Sequence, residues 1–278
     1  MPDTLAASDN SAPEAAIRLD SVTLARGGRA VLTGFSLAIP AGKVTAVMGP
    51  SGCGKTTVLK LITGQLRPDK GQVWVGDIEV NTLRGADLNA LRRDIGVLLQ
   101  NGALFTDLTC FDNVALPLRE HTKLPEPLIR RLVLLKLQTV GLRGAAALYP
   151  RELSGGMNRR VAMARAMALD PAIMLYDEPF AGLDPISLGA SVRLIREING
   201  ALGITSVVIT HDVAEVQKFA DCCCIIAEGR VVASGTPDQL RDSDQEVVRQ
   251  FMRGLPDGPV PFHFPARPLA DELLAERA

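Results

Sequence analysis

The sequence predicts an α/β fold with a mainly parallel core sheet, an antiparallel β layer and an inserted helical subdomain. Three observations lead there. Short, wholly apolar strands alternate with helical stretches, as in a parallel sheet covered on both faces. Short strands also lie on either side of a glycine-rich loop that begins at Gly49. From Asn101 to about Leu169 the apolar spacing is helical rather than alternating.

Taken in order, Met1 to Ala16 is rich in Ala, Ser, Asp and Pro. It has neither the basic start nor the apolar centre of a signal peptide, and its acids disfavour a transit peptide. It reads as a floppy lead-in. Ile17–Leu19, Val22–Leu24 and Gly34–Ile39 read as strands, with Gly27-Gly28 as a hairpin turn. Val44–Met48 is an apolar strand, and Val58–Ile62 is helical. Arg67–Gly71 is a turn, followed by short strands at Gln72–Val75 and Ile78–Val80. Arg93–Leu99 returns to the core and ends at Gln100.

Within the insert, Phe111–Leu118, Pro127–Val140 and the stretch after Ser154 read as helices. Leu128, Ile129, Leu132, Leu135 and Val140 carry the apolar period of one helical face. Pro171–Tyr176 and Thr205–Thr210 resume the core as strands, with helices at Leu188–Leu202 and Val213–Ala220. Thr236 is an N-cap with Pro237 in the first helical position. Leu255–Ala278, Pro-rich and then acidic and helical, reads as an extension reaching onto something. The expected organisation is a lead at 1–16, one domain at 17–254 and an extension at 255–278. The core would be 17–100 and 170–254, and the helical subdomain about 101–169.

The chain has 278 residues, 47% of them hydrophobic and 22% charged, which is ordinary globular composition. A net charge of −1 gives no electrostatic case for nucleic acid. No apolar run approaches the ~20 residues that span a bilayer, so any membrane spans would come from another chain. The five cysteines form no disulfide or zinc framework. Cys222, Cys223 and Cys224 alternate faces on a strand and read as small core hydrophobes in a reducing compartment.

Between the strand and helix around it, Gly49-Pro50-Ser51-Gly52-Cys53-Gly54-Lys55-Thr56-Thr57 fits the P-loop pattern G-x-x-x-x-G-K-[ST]. Its glycines let backbone N–H groups turn inward around a phosphate chain. The following helix points its positive end at the same anion. Lys55 is placed to reach the β- and γ-phosphates, and the Thr56 hydroxyl to hold Mg²⁺.

Other sites follow. Ile173–Tyr176 ends in Asp177 and Glu178, one suited to the Mg²⁺ environment and the other to polarising a water. Ser154, Gly155 and Gly156 start a helix and form a second anion site. Gln100 ends a core strand where the insert begins, and its amide can contact metal or water. Gly182-Leu-Asp184-Pro185 is a turn, and His211 lies at a strand's C-terminal edge. Alone, each has a plainer reading as a solvated acidic pair, an N-cap, a surface glutamine, a turn or a loop histidine.

Together, in this order and spacing, these residues resemble an ABC-transporter ATPase over roughly Ile17 to Gly254. The resemblance implies an ABC-type P-loop NTPase using ATP and Mg²⁺. Two copies would pack head to tail, each ATP lying between one P-loop and the other copy's Ser154–Gly156 signature. It implies phosphate and Mg²⁺ binding at Lys55, Thr56 and Thr57, and a metal aspartate at Asp177. It makes Gln100 the coupling glutamine, Glu178 the general base and His211 the switch histidine, with Asp184 crossing the dimer interface. Two positions depart from the family. Met157 replaces the usual glutamine, and Arg26 stands where an aromatic ring usually stacks on adenine. Arginine can stack by cation–π contact, so preference for ATP over GTP rests on Arg26.

Asn101–Leu108, Phe111–Thr122, Val140–Gly144, Leu153–Met157 and Asp257–Phe262 further resemble the ATPases of bacterial maintenance-of-lipid-asymmetry phospholipid transporters. That implies two permease subunits in the inner membrane, with this chain peripheral on the cytoplasmic face. It also implies a periplasmic ring of MCE-type lipid-binding domains, a small STAS-domain protein on the helical insert, and a C-terminal tail crossing to the neighbouring ATPase. Two alternatives stay open: an importer ATPase for another solute such as amino acids, and a non-transport ABC ATPase.

Overall fold

Buried and exposed residues alternate along Ala15–Arg26 (β1) and Arg29–Pro40 (β2), which pair as an antiparallel hairpin. Gly27 and Gly28, both at positive φ, make the tight turn that the sequence predicted. The two short strands expected before it are one strand, because a bulge with Ser21 at φ +48 absorbs the break between Leu19 and Val22. The structure is a computed structural model and describes residues 14–260, 268 and 270. The expectations for residues 1–13, and for the extension beyond Val260 apart from 268 and 270, lie outside the described residues.

The wholly buried strand Val44–Met48 (β3) leads through the glycine loop into Lys55–Ile62 (α1). Lys70–Val75 (β4), Ile78–Glu79 (β5), Gly85–Arg93 (α2) and Ile95–Leu98 (β6) follow. Then come the helices Cys110–His121 (α3), Glu126–Thr139 (α4) and Gly155–Ala166 (α5). The core resumes with Ile173–Asp177 (β7), Pro185–Leu202 (α6), Thr205–Ile209 (β8), Val213–Phe219 (α7) and Cys222–Ala227 (β9). Arg230–Gly235 (β10), Pro237–Arg241 (α8) and Glu246–Arg253 (α9) complete the elements.

A four-stranded antiparallel sheet runs in the order β2-β1-β4-β5, and a six-stranded sheet in the order β10-β9-β3-β8-β7-β6. In the second sheet only β10 is antiparallel. Because β3, β8, β7 and β6 are neighbours and parallel, their C-terminal ends share one edge. That edge carries the P-loop, the residues after Ile209, the Asp177-Glu178 pair and the approach to Gln100. Ligands of open α/β sheets bind along such an edge.

Two apolar cores flank the sheet. Val44, Ala46 and Met48 face one, with α3, α4 and α5, and Val47 faces the other, with α1 and the β1–β2 hairpin. Cys223 packs into the first core and Cys224 into the second, as strand alternation requires. The expected apolar face of α4 needs correction. Ile129, Val133 and Leu137 are its buried stripe, whereas Leu128 and Leu135 are 39% and 59% exposed. The sequence also gave no notice of α2, β10 or α9.

Beyond α9 the chain folds back. Gln250, itself buried, donates from Nε2 to the Val260 carbonyl at 2.9 Å, and the Val260 N–H donates to its Oε1 at 2.8 Å. Gly258, at φ +155, lies so close that a Cβ there would sit 2.6 Å from Gln250 Cδ.

Candidate active site

The P-loop owes its path to glycines at two close approaches. Gly49 has φ +149, and a Cβ on it would stand 2.2 Å from the Ile226 carbonyl oxygen. Gly54 has φ +110, and a Cβ would meet Leu32 Cδ2 at 2.8 Å. The loop is thus pressed between β9 and the β1–β2 hairpin. Gly54 offers α1 no side-chain cap, and the first turn of the helix carries no acid. Its first N–H groups therefore face the loop as donors, which suits an anion. Lys55 is 8% exposed, and its Nζ donates to the carbonyls of Gly49 at 2.7 Å and Pro50 at 3.0 Å. Those bonds hold the ammonium over the concave side of the loop.

Thr56, one residue on, brings its Oγ1 within 3.4 Å of Asp177 Oδ1 at the end of β7. Burial pushes the Asp177 carboxyl up from its ordinary value, and neighbouring Glu178 pushes the same way, against the Thr56 hydroxyl, Lys60 and Lys55. A buried carboxylate beside a hydroxyl is an oxygen donor set suited to Mg²⁺. No cluster of three or more His, Cys, Asp or Glu able to hold a metal occurs among the described residues. A cation at Thr56 and Asp177 would therefore draw other oxygens from its phosphate partner, and these residues fit that arrangement.

Glu178 leaves the sheet abruptly. Its N–H donates to the Ile209 carbonyl at 2.9 Å, and its φ is +48, a strained value for a residue with a side chain. The bend sets its carboxylate against His211, with Oε2 at 2.9 Å from Nδ1. The Glu178 side chain is only 15% exposed, whereas that of His211 is 67% exposed. A sheltered carboxylate oriented by an imidazole, at the mouth of a phosphate loop, can align and deprotonate an attacking water.

One cavity of about 350 Å³ brings together Ser51, Gly52, Gly54, Lys55, Thr56, Thr57, Gln100, Asp177, Glu178 and His211 with Val31 of the hairpin. Arg26 does not line it. It sits exposed at the end of β1, opposite Arg29. Ser154, Gly155, Gly156 and Asp184 also lie elsewhere. Ser154 caps α5 by accepting from the Met157 N–H at 3.2 Å, and Gly155 lines a separate hollow with Asn101, Pro150 and Arg159. Asp184 caps α6, accepting from the Ile186 and Ser187 N–H groups at 3.0 Å. The Ser187 side chain, followed by these N–H groups, holds its carboxyl below the ordinary value. The starts of α5 and α6 touch, since a Cβ on Gly156 would lie 3.0 Å from Ser187 Oγ. Another hollow, of about 900 Å³, is away from the chemistry. It lies beside α2, α3 and β6, lined by Arg92, Gly96, Phe105, Leu116, His121 and Arg165 among others.

Two residues escaped the sequence reading. Arg159 and Arg165 of α5 both reach into the loop after β6. Arg159 donates to the Gln100 carbonyl at 3.0 Å, and Arg165 to those of Gly102 and Ala103 at 2.8 and 2.7 Å. The only signal was a basic run after the signature glycines, which reads as a solvated helix face.

Comparison with known proteins agrees with this geometry. The ABC transporter family model matches residues 32–181. The intermembrane phospholipid transport system ATP-binding protein MlaF of Haemophilus influenzae is 52% identical over 92% of this chain and 97% of its own length. Its Escherichia coli K12 counterpart is 50% identical over 93% and 96%. Among solved structures, the ATP-binding cassette MJ0796, in a dimeric post-hydrolysis state bound to ADP and Pi, superposes with a TM-score of 0.73. It is 33% identical over 80% of this chain and 98% of its own. A phosphate-binding loop, an acidic strand end and a histidine meet on one sheet edge, and relatives match nearly end to end. The chain belongs to the ABC-transporter ATPases.

Proposed function

We propose that this chain powers phospholipid movement between the inner and outer membranes of a bacterium, working as a head-to-tail pair beneath two permease subunits. One observation supports the paired arrangement: among the described residues, Gly54 lines one hollow and Gly155, at the start of α5, lines another. A second copy brings Ser154–Gly156 to the P-loop, with Asp184 at the seam. The phospholipid cargo rests on the half-identical relatives that carry that description.

In this reading Gly49–Thr57 holds the ATP phosphates and Arg26 stacks on the base. Glu178 activates the water, and His211 holds Glu178 and meets the γ-phosphate. Thr56, Asp177 and Gln100 would hold Mg²⁺, which when bound neutralises phosphate charge. Residues 17–254 act as the ATPase domain, with 101–169 as the moving helical subdomain and 255–278 as an extension to the neighbouring copy. The hollow beside α2 and α3, basic at Arg92, Arg93 and Arg165, receives a permease loop. The exposed Leu128 and Leu135 of α4 take the small STAS-domain protein. The MCE-type ring connects only through the permease. No helix among the described residues is long and apolar enough to cross a membrane, and the permease keeps the ATPase on the cytoplasmic face.

The test is to isolate the membrane complex through a tag on this chain and place it in vesicles with labelled phospholipid. ATP-dependent lipid movement is expected, and Glu178→Gln abolishes it. Hydrolysis indifferent to lipid but stimulated by another solute would sink the proposed cargo.

A further inference from the structure

Arg159 lies in the second turn of α5, the helix whose first turn follows Ser154. Its half-buried guanidinium is turned onto main-chain carbonyls. Nη1 donates to Pro179 at 3.0 Å and Ala181 at 2.8 Å, and Nη2 donates to Gln100 at 3.0 Å. Burying a cation costs free energy, and the planar fork recovers it only where acceptors stand at fixed places. Here the acceptors belong to two loops that are distant in sequence, and both border the reacting centre.

The first loop begins at Glu178. The Ala181 N–H donates back to the Glu178 carbonyl at 3.3 Å, closing a turn over Pro179 and Phe180. The Phe180 ring is buried edge-on against Phe219, with centroids 5.5 Å apart, so the turn is fastened to the core by its side chain. Arg159 fastens the same turn by its carbonyls. Glu178 sits at φ +48, and such a conformation persists only when the surroundings over-determine it. The second loop begins at Gln100, which lines the cavity that holds Glu178. Arg165, further along α5, binds only that second loop.

We propose that Arg159 is a positioning residue for ATP hydrolysis, tying the Glu178 turn and the Gln100 loop to the signature helix so that Glu178 keeps its aim. This rests on Glu178 being the general base. The hydrogen bonds of Arg159 run to main-chain carbonyls. Arg159 acts through these carbonyls of its three partners, and a ligand arriving at the start of α5 shifts the helix that holds them.

The test uses the tagged membrane complex. Arg159→Met is expected to lower kcat at least tenfold, about 1.4 kcal/mol of barrier, while KM and the affinity for a fluorescent ATP analogue move less than about threefold. Arg159→Lys, with a point charge instead of a fork, recovers part of the rate. Added to Glu178→Gln, Arg159→Met lowers the single-turnover rate by less than about twofold, because both changes act on one step. An unchanged kcat overturns the proposal. So does a rise in KM alone, full additivity with Glu178→Gln, or a lysine variant no better than methionine. Should Arg159→Met not fold, the lysine variant carries the kcat and additivity measurements. If Glu178→Gln itself hydrolyses at the parent rate, the general-base reading has failed, and that result is distinct from failure at Arg159.

Discussion

The general-base role proposed for Glu178 draws on a backbone bent at φ +48 and a carboxylate that meets His211 at 2.9 Å. Replacing it with Gln keeps size and hydrogen bonding but removes basicity. Hydrolysis should fall about 10²–10⁴-fold, the range typical of a lost general base, while equilibrium ATP binding holds. Loss of binding in step with rate would show the residue holding substrate instead. Steric space separates two glycines of the P-loop. Gly49→Ala puts a Cβ 2.2 Å from the Ile226 oxygen, whereas a Cβ on Gly52 meets nothing within 4 Å. Gly52→Ala should cost only about 1 kcal/mol of backbone strain at its positive φ. Gly49→Ala should lower the melting temperature further and abolish ATP binding, as calorimetry and nucleotide titration would read. That Lys55, Thr56, Asp177 and Glu178 would share one cavity was legible because phosphate chemistry demands few residue types at tight spacing. Arg159 was not, because its acceptors come from loops separated from it by 20 and 59 residues.

At the scale of elements, α3 and α4 are pinned by charges. Asp112 accepts from the hydroxyl of Thr109, the N-cap of α3, and from Arg119 at 3.0 Å, and Arg119 also donates to Glu126 of α4 at 2.7 Å. The Thr109 hydroxyl, with Arg119, holds the Asp112 carboxyl below its ordinary value. The ionised form is therefore favoured in the fold. Its stabilisation is complete above the usual carboxylate range, near about pH 4, and disappears as pH falls through the depressed folded value. Asp112→Asn should melt a few degrees below the parent at pH 7, with the gap closing in acid. A gap that persists at low pH would assign the loss to packing.

The helices of this region were readable from the apolar period to within a few residues, but the buried side of α4 was not. Leucines lie on two of its faces, and a 3.6-residue period cannot say which meets the core. α2 escaped notice because Arg84 supplies no side-chain cap and Leu91 is its only buried residue.

At the scale of the molecule, a site divided between copies makes a sharp prediction. A Lys55→Ala chain and a Ser154→Arg chain should each be inactive. A mixed pair places both defects in one site and leaves the other intact. Co-expression with distinct tags, followed by ATPase assay of the doubly purified complex, should recover measurable hydrolysis. Silence in a correctly assembled mixed pair would refute the shared site. The parallel sheet was foreseeable from its apolar strands, and the common edge follows once they pair side by side. The order of strands in the sheet was not, since nothing local to β3 names β8 and β9 as its neighbours.

The Gln250 clamp bears on the far end of the chain. Its amide presents to Val260 the donor and acceptor of a neighbouring strand, so one side chain stands in for a backbone. Gly258 is the matching half, because any larger residue would collide with it. The pair works as a cable guide. The backbone at Val260 is thereby fixed to α9 rather than left to Arg253. Gln250→Ala would slacken that guide without touching ATP, and faster hydrogen exchange at the Val260 amide would register it.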